Sequence, residues 1–239
     1  MKSFIEALTQ NVLYALEFLG IAVGIFLISY IAERAIRKKN GETGKYFTAR
    51  KMALIAMLSA IAGVLMIFDF PIFFAPVFYK MDFSELPALI GCFAFGPLSG
   101  VLIEFLKILV KLMIKGTTTA FVGELANFLI GSSFILAASL VYIIKKNKKA
   151  AIWGCILGTV IMTIFAAFMN AYYLLPVFAE IYGMPLETII AMGTKINEDI
   201  TDMFSFVALA VAPLTFIKGA FCSLITIFVY KKLRKFIHN

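Results

Sequence analysis

Phe95-Gly96-Pro97-Leu98-Ser99-Gly100 interrupts an apolar block running from about residue 84 to 115, and the reading of these six residues decides the fold. Proline removes a backbone donor and the glycines permit a reversal, so the hexapeptide is a turn signal. The block therefore splits into two short helices, near 84–95 and 98–115. Each falls below the ~20 residues that a straight bilayer span wants, so the turn is expected to sit against protein and not in open lipid.

Composition demands the bilayer. Of 239 residues, 62% are hydrophobic and 15% charged, with 25 Phe and 11 Met, and the mean hydropathy is +0.96. A soluble domain is about half apolar and about a quarter charged. A water-soluble globule is thereby excluded. The net charge of +8 is gathered between apolar runs: Arg34, Arg37, Lys38, Lys39, Lys45, Arg50 and Lys51; then Lys145, Lys146, Lys148 and Lys149; then Lys231, Lys232, Arg234 and Lys235. These clusters read as topology markers that face the cytoplasm, not as a nucleic-acid surface.

Two cytoplasmic points are separated by an even number of crossings. Between Lys51 and Lys145 hydropathy sees three apolar blocks, roughly 52–79, 84–115 and 120–144, which breaks parity. Splitting the middle block at Gly96-Pro97 restores it. With helices near 151–178 and 203–230, the result is a six-helix unit whose two ends lie in the cytoplasm. The first apolar run, 11–33, is long and has no small-residue cleavage site before the polar stretch, so it is a retained helix and places Met1 outside. The expected fold class is an all-α polytopic membrane protein: a six-helix bundle over 51–235, an extra N-terminal transmembrane helix over 1–36, and a cytoplasmic basic linker over 37–50.

Little in the chain suits catalysis. The single histidine, His238, lies next to the C-terminus, so no histidine triad or metal-binding helix can be built in the membrane. Cys92, Cys155 and Cys222 are odd in number and scattered through apolar stretches, and give no disulfide framework or metal spacing. Gly41-Glu42-Thr43-Gly44-Lys45 has the wrong glycine spacing for a phosphate loop and no preceding strand, so it reads as a solvated linker. No cofactor is expected, and any ATP hydrolysis would belong to another subunit.

Polar residues inside apolar helices cost about 2.5–3.5 kcal/mol for a central charge, and so mark interior faces or sites. Glu124 and Asn127, three apart on one helix face, suit either an N-terminal cap with a packing amide or ligand binding. Asn170, beside Tyr172, Tyr173 and Pro176, suits a planar hydrogen-bonding ligand, although an interfacial aromatic belt also explains the tyrosines. Lys218 lies about twelve residues from either end of its helix, too deep for easy snorkelling, and calls for a buried partner or a ligand. Glu104, Lys107, Lys111 and Lys115 form a stripe, read as Glu104 pairing with Lys107 while Lys115 snorkels outward. Ala56 and Ala60, four apart with Ser59 and Gly63 beside them, let another helix approach closely. The aromatic, proline-bearing segment from Asp69 to Pro87 is a candidate lid over an outward-facing pocket.

In order along the chain, Lys80-Met81-Asp82-Phe83-Ser84-Glu85-Leu86-Pro87-Ala88-Leu89, Phe95-Gly96-Pro97, Gly123-Glu124-Leu125-Ala126-Asn127-Phe128, Asn170 to Pro176 and Phe216-Ile217-Lys218-Gly219 resemble the substrate-binding S components of energy-coupling-factor (ECF) vitamin transporters, in particular the riboflavin-specific member. The resemblance covers about residues 51–235. It implies a six-helix S-component bundle that captures riboflavin from outside and docks through Ala56 and Ala60 on a membrane scaffold T component carrying two cytoplasmic ATPases. It further implies that Asn170 and Lys218 are polar ligand contacts and that Tyr79 and Lys80 belong to the lid, with Glu124 and Asn127 in a family motif. Thr215 departs from it, standing where the family often has asparagine, which keeps a hydroxyl but loses the amide's paired donor and acceptor. The N-terminal helix is also not among the usual six. Alternatives are an S component for another vitamin or nucleobase-like ligand, a proton-coupled transporter using Glu104 or Glu124, and a membrane enzyme using Glu124, Asp82 or Glu85 as a base.

Overall fold

The computed structural model describes residues 11–41, 43–44 and 46–237, with side chains as far as Val229. Met1, Glu42, Lys45, His238 and the side chains of the third basic cluster lie outside the described residues. The chain is an all-α membrane protein. Its elements are α1 (Val12–Lys39), α2 (Ala49–Ile67), a two-residue antiparallel ribbon of β1 (Phe70–Pro71) and β2 (Lys80–Met81), α3 (Glu85–Phe95), α4 (Pro97–Lys115), α5 (Val122–Lys145), α6 (Lys148–Tyr182), α7 (Leu186–Thr194) and α8, which runs from 203 to 237. In the ribbon Phe70 pairs with Met81 and Pro71 with Lys80.

The Gly96-Pro97 turn is built as its residues dictate. Gly96 has φ +99°, open to glycine and strained for other residues, and Pro97 occupies the first turn of α4, where a missing N–H leaves no bond unmade. The turn's remaining polar groups are met by protein. Lys51 Nζ donates to Phe95 O at 2.9 Å, and Glu33 Oε2 accepts from Leu98 N at 3.1 Å. Buried Glu33 comes from α1, so the N-terminal helix supplies an anion to the start of α4, where the helix dipole favours one. Arg37 Nη1 stands 4.0 Å from the same carboxylate.

α4 is the central element, packing against α1, α2, α3 and α5, while α6 joins α5 to α8. Phe18 and Phe26 of α1 close on Phe105 of α4 with ring centroids 5.8 and 5.6 Å apart, and Phe18 meets Phe128 of α5 at 5.9 Å. The opposite face of α1, including Leu13, Leu16, Leu27 and Ile31, is exposed, as suits a surface against lipid. The helix continues to Lys39, beyond the expected boundary at 36, with Arg37, Lys38 and Lys39 in its last turn where cations offset the dipole.

Two features depart from the expected pattern. The connection after α6 contains α7, nine residues long and too short for a hydropathy window to register. Both long C-terminal helices carry a π turn, Asn170–Leu174 in α6 and Val207–Val211 in α8. On α2, Ser59 and Gly63 turn inward, with Gly63 lying against Val110 of α4, whereas Ala56 and Ala60 are exposed. The small-residue face therefore divides into an intramolecular half and an outward half.

Close approach of α5 and α6 depends on Gly154, where an added Cβ would lie 2.5 Å from the backbone oxygen of Ala138. Gly154→Ala is expected to destabilise by about 1–3 kcal/mol. By contrast Gly20→Ala on α1, where a Cβ meets nothing within 4 Å, is expected to be neutral or stabilising by about 0.5–1 kcal/mol. Thermal unfolding midpoints of the two detergent-solubilised variants check the pair, and equal midpoints would contradict this account of the α5–α6 crossing.

Candidate functional site

A cavity of about 260 Å³ opens between the ends of α2, α4, α5, α6 and α8 under the β1–β2 loop. α2 begins at the first basic cluster and reaches the cavity at Met66, while α5 begins at the cavity and ends at Lys145. The cavity thus lies at the end of the bundle remote from the described basic clusters. Tyr79, Lys80, Glu124, Asn127, Asn170, Thr215 and Lys218, singled out from sequence on four separate segments, all line it.

Lys218 is buried on α8 and held by two carboxylates, Asp82 Oδ2 at 3.1 Å and Glu85 Oε1 at 2.9 Å. Its ammonium has three donors, and these two contacts account for two of them. The same Glu85 oxygen lies 3.1 Å from Nζ of Lys107, which in turn stands 2.7 Å from Glu104 Oε2, in ion-pair contact but off hydrogen-bond alignment. Five charges of alternating sign therefore run from the cavity wall into the core, and Lys107 and Glu104 are fully buried. Gly131 makes room for the last of them, since a Cβ there would sit 2.2 Å from Glu104 Oε2. Burial alone would raise the carboxyl of Asp82, which lies in the loop before α3. The Lys218 and Lys107 ammoniums, with Ser84 N donating to its Oδ1 at 2.8 Å, outweigh burial and hold it below the ordinary carboxylate value.

Asn170 begins the π turn of α6. Its Nδ2 donates to Ala166 O at 2.8 Å, and its Oδ1 accepts from the Tyr79 hydroxyl at 2.5 Å. Burial raises the Tyr79 hydroxyl above its ordinary range and keeps it a donor. This bond ties the loop to α6. Ala75 of the same loop is buried among Leu175, Phe206 and Val207, so the segment from Asp69 to Met81 forms an ordered cover. Lys80 reaches Asp69 at 3.4 Å, and Lys115 reaches the other oxygen of Asp69 at 3.0 Å.

Glu124 is buried and saturated: Lys111 Nζ pairs with Oε1, while the Thr117 and Thr119 hydroxyls donate to Oε2 at 2.9 and 3.1 Å. Asn127 donates to Gly123 O at 3.1 Å, and the Thr215 hydroxyl donates to Val211 O at 2.9 Å. Both of these bonds are internal to a helix and leave acceptor capacity at the cavity wall.

Sequence reading did not place Asp82, Glu85 and Lys111 among the site residues, yet all three line the cavity. A lysine as deep as Lys218 needs carboxylate partners, and Asp82 and Glu85 are the acids flanking the neighbouring loop and helix, so charge pairing was the available signal. Lys115, read as snorkelling outward, is partly exposed and ends on Asp69 and on Ile67 O, the latter at 2.6 Å. The pairing of Glu104 with Lys107 stands, with Glu85 added.

Residues 50–230 match the family described as ECF transporter, substrate-specific component. Over 188 residues the chain is 34% identical to the riboflavin transporter RibU of Staphylococcus aureus, covering 79% of this chain and 92% of that one. Over 191 residues it is 30% identical to the riboflavin transporter FmnP of Bacillus subtilis, covering 80% and 95%. A solved structure of the S component of a bacterial ECF transporter aligns with a TM-score of 0.62 at 34% identity, over 80% of this chain and 98% of that chain. The chain therefore belongs to the substrate-specific S components of ECF transporters.

Proposed function

We propose that the protein captures riboflavin in the cavity beneath the Asp69–Met81 loop and delivers it inward in partnership with an ATP-hydrolysing module. One observation carries this reading: seven polar or aromatic residues from four segments converge on one cavity at the end of the bundle away from the basic clusters. Riboflavin offers a planar heterocycle with carbonyls and an N–H, and a hydroxylated chain. The free donor of Lys218 and the second N–H of Asn170 suit the carbonyls, and the half-buried Phe178 and Tyr79 supply apolar wall.

In this reading the basic clusters face the cytoplasm, the C-terminus lies inside and the N-terminus outside, and the cavity opens outward. The Tyr79–Asn170 bond acts as the latch of the lid. Exposed Ala56 and Ala60 form the face on which a membrane scaffold T component docks, bringing two cytoplasmic ATPase subunits. Residues 51–235 act as the substrate-binding unit and 1–36 as an added transmembrane helix.

Purified protein is expected to carry the yellow flavin absorbance or to quench flavin fluorescence stoichiometrically on titration. Vesicles holding this protein alone are expected not to accumulate riboflavin uphill, whereas co-reconstitution with the T component and ATPases, supplied with ATP, restores uptake. Uphill accumulation by the protein alone would overturn the proposal.

Lys218→Ala leaves Asp82 and Glu85 short of a buried partner and removes the free donor, so riboflavin affinity should fall by about 100-fold or more. Tyr79→Phe removes only the latch and should weaken binding about 2- to 10-fold, mainly through faster dissociation. Fluorescence titration and stopped-flow release measure both. An unaltered Kd for Lys218→Ala would return that lysine to a purely structural role.

A further inference from the structure

α1 lies ahead of the family-matched residues 50–230, yet it touches the wall of the ligand cavity. Glu17 Oε1 accepts a hydrogen bond from the Tyr173 hydroxyl at 2.7 Å. Tyr173 belongs to the π turn Asn170–Leu174, whose first and last residues both line the cavity. Around this contact, Tyr14 of α1 and Tyr173 pack on Val122, Ala126 and Leu174, and Ala126 and Leu174 are themselves cavity residues.

The π turn gives the contact its leverage. Residues three apart on an α-helix share a face. The wider i→i+5 turn spreads them, so Asn170 meets Tyr79 at the cavity while Tyr173, three residues on, reaches outward to α1. A return of this segment to α-helical register would rotate one of the two away from its partner. Glu17 is itself firmly placed: Phe18, next along the chain, is buried between Phe105 and Phe128. Sixteen residues on, roughly 24 Å along the helix axis, Glu33 secures the far end of α1 to Leu98 N.

We propose that Glu17 is a positioning residue for the ligand cavity: through Tyr173 it holds the π turn in the register that presents Asn170 to the lid and to the bound molecule. The N-terminal helix is thereby part of the substrate site's supporting structure. This inference rests on the ligand reading above for its affinity readout and is independent of it for its structural readout.

The test uses the full chain in detergent micelles and compares Glu17→Leu, Tyr173→Phe, the double variant and Glu17→Gln, with Glu33→Leu as a control that loosens α1 at its other end. Riboflavin Kd is expected to rise about tenfold in Glu17→Leu and in Tyr173→Phe, and no further in the double variant. Glu17→Gln keeps a carbonyl acceptor and should bind within about twofold of wild type. Hydrogen exchange of unliganded protein should show amides 170–174 exchanging about tenfold faster in Glu17→Leu and unchanged in Glu33→Leu. Unchanged exchange at 170–174 in Glu17→Leu overturns the proposal, as does wild-type affinity in that variant. If wild type binds no riboflavin the ligand reading fails instead, and exchange alone then decides the role of Glu17.

Discussion

Everything at the cavity end of the bundle depends on the charge chain Asp82–Lys218–Glu85–Lys107–Glu104, whose neighbouring contacts measure 3.1, 2.9, 3.1 and 2.7 Å. In a membrane no water compensates a buried ion, and removing one partner of such a pair costs about 3–5 kcal/mol. The five groups belong to the loop before α3, α8, α3 and α4. They can be buried only if those four elements meet at one place, so the charges fix the assembly more narrowly than interchangeable apolar contacts could. The same constraint fixes the polar wall of the cavity. The cavity-side members of the chain cannot retreat into lipid, and the unused donor of Lys218 stays where a polar ligand can meet it.

Helix lengths follow from this convergence. α3 has 11 residues and α4 has 19, joined at Gly96 with no intervening loop. A turn at that depth exposes backbone groups that lipid cannot satisfy, and here Lys51 and Glu33 satisfy them. The extra helix α1 therefore stabilises the turn whose reading sets the topology, and its Glu17 end reaches the cavity wall.

Much of this was legible in the residues. The Gly96-Pro97 signal and charge parity located the α3–α4 break within a residue or two, depth in an apolar run marked Lys218, and an amide beside two tyrosines and a proline marked Asn170. What composition hides is pairing across distance. Asp82 and Glu85 looked like loop acids because their partners, Lys218 and Lys107, are 136 and 22 residues away. Ser59, Ala60 and Gly63 looked like one small-residue face, since sequence spacing alone cannot tell the side taken by α4 from the side left open. α7 escaped notice because nine residues do not fill a hydropathy window.

The π turns show how a local defect becomes a site. Each lies just before a proline, Pro176 in α6 and Pro213 in α8, and a proline ring inside a helix clashes with the carbonyl four residues back while lacking the N–H to bond it. Widening the preceding turn relieves the clash: Leu175 N bonds back to Asn170 O, and Ala212 N to Val207 O. The helices continue beyond the bulges. Both bulges face the cavity, contributing Asn170 and Leu174 from α6 and Val211 from α8. Proline placement thus aims an amide into the cavity while the rest of each helix stays regular. Single π turns inside α-helices are rare and occur mostly at functional sites. Tyr79 from the lid and Glu17 from α1 bind the first bulge at Asn170 and Tyr173, on its two sides, so a shape set by Pro176 is held in register by elements more than 90 residues distant in sequence.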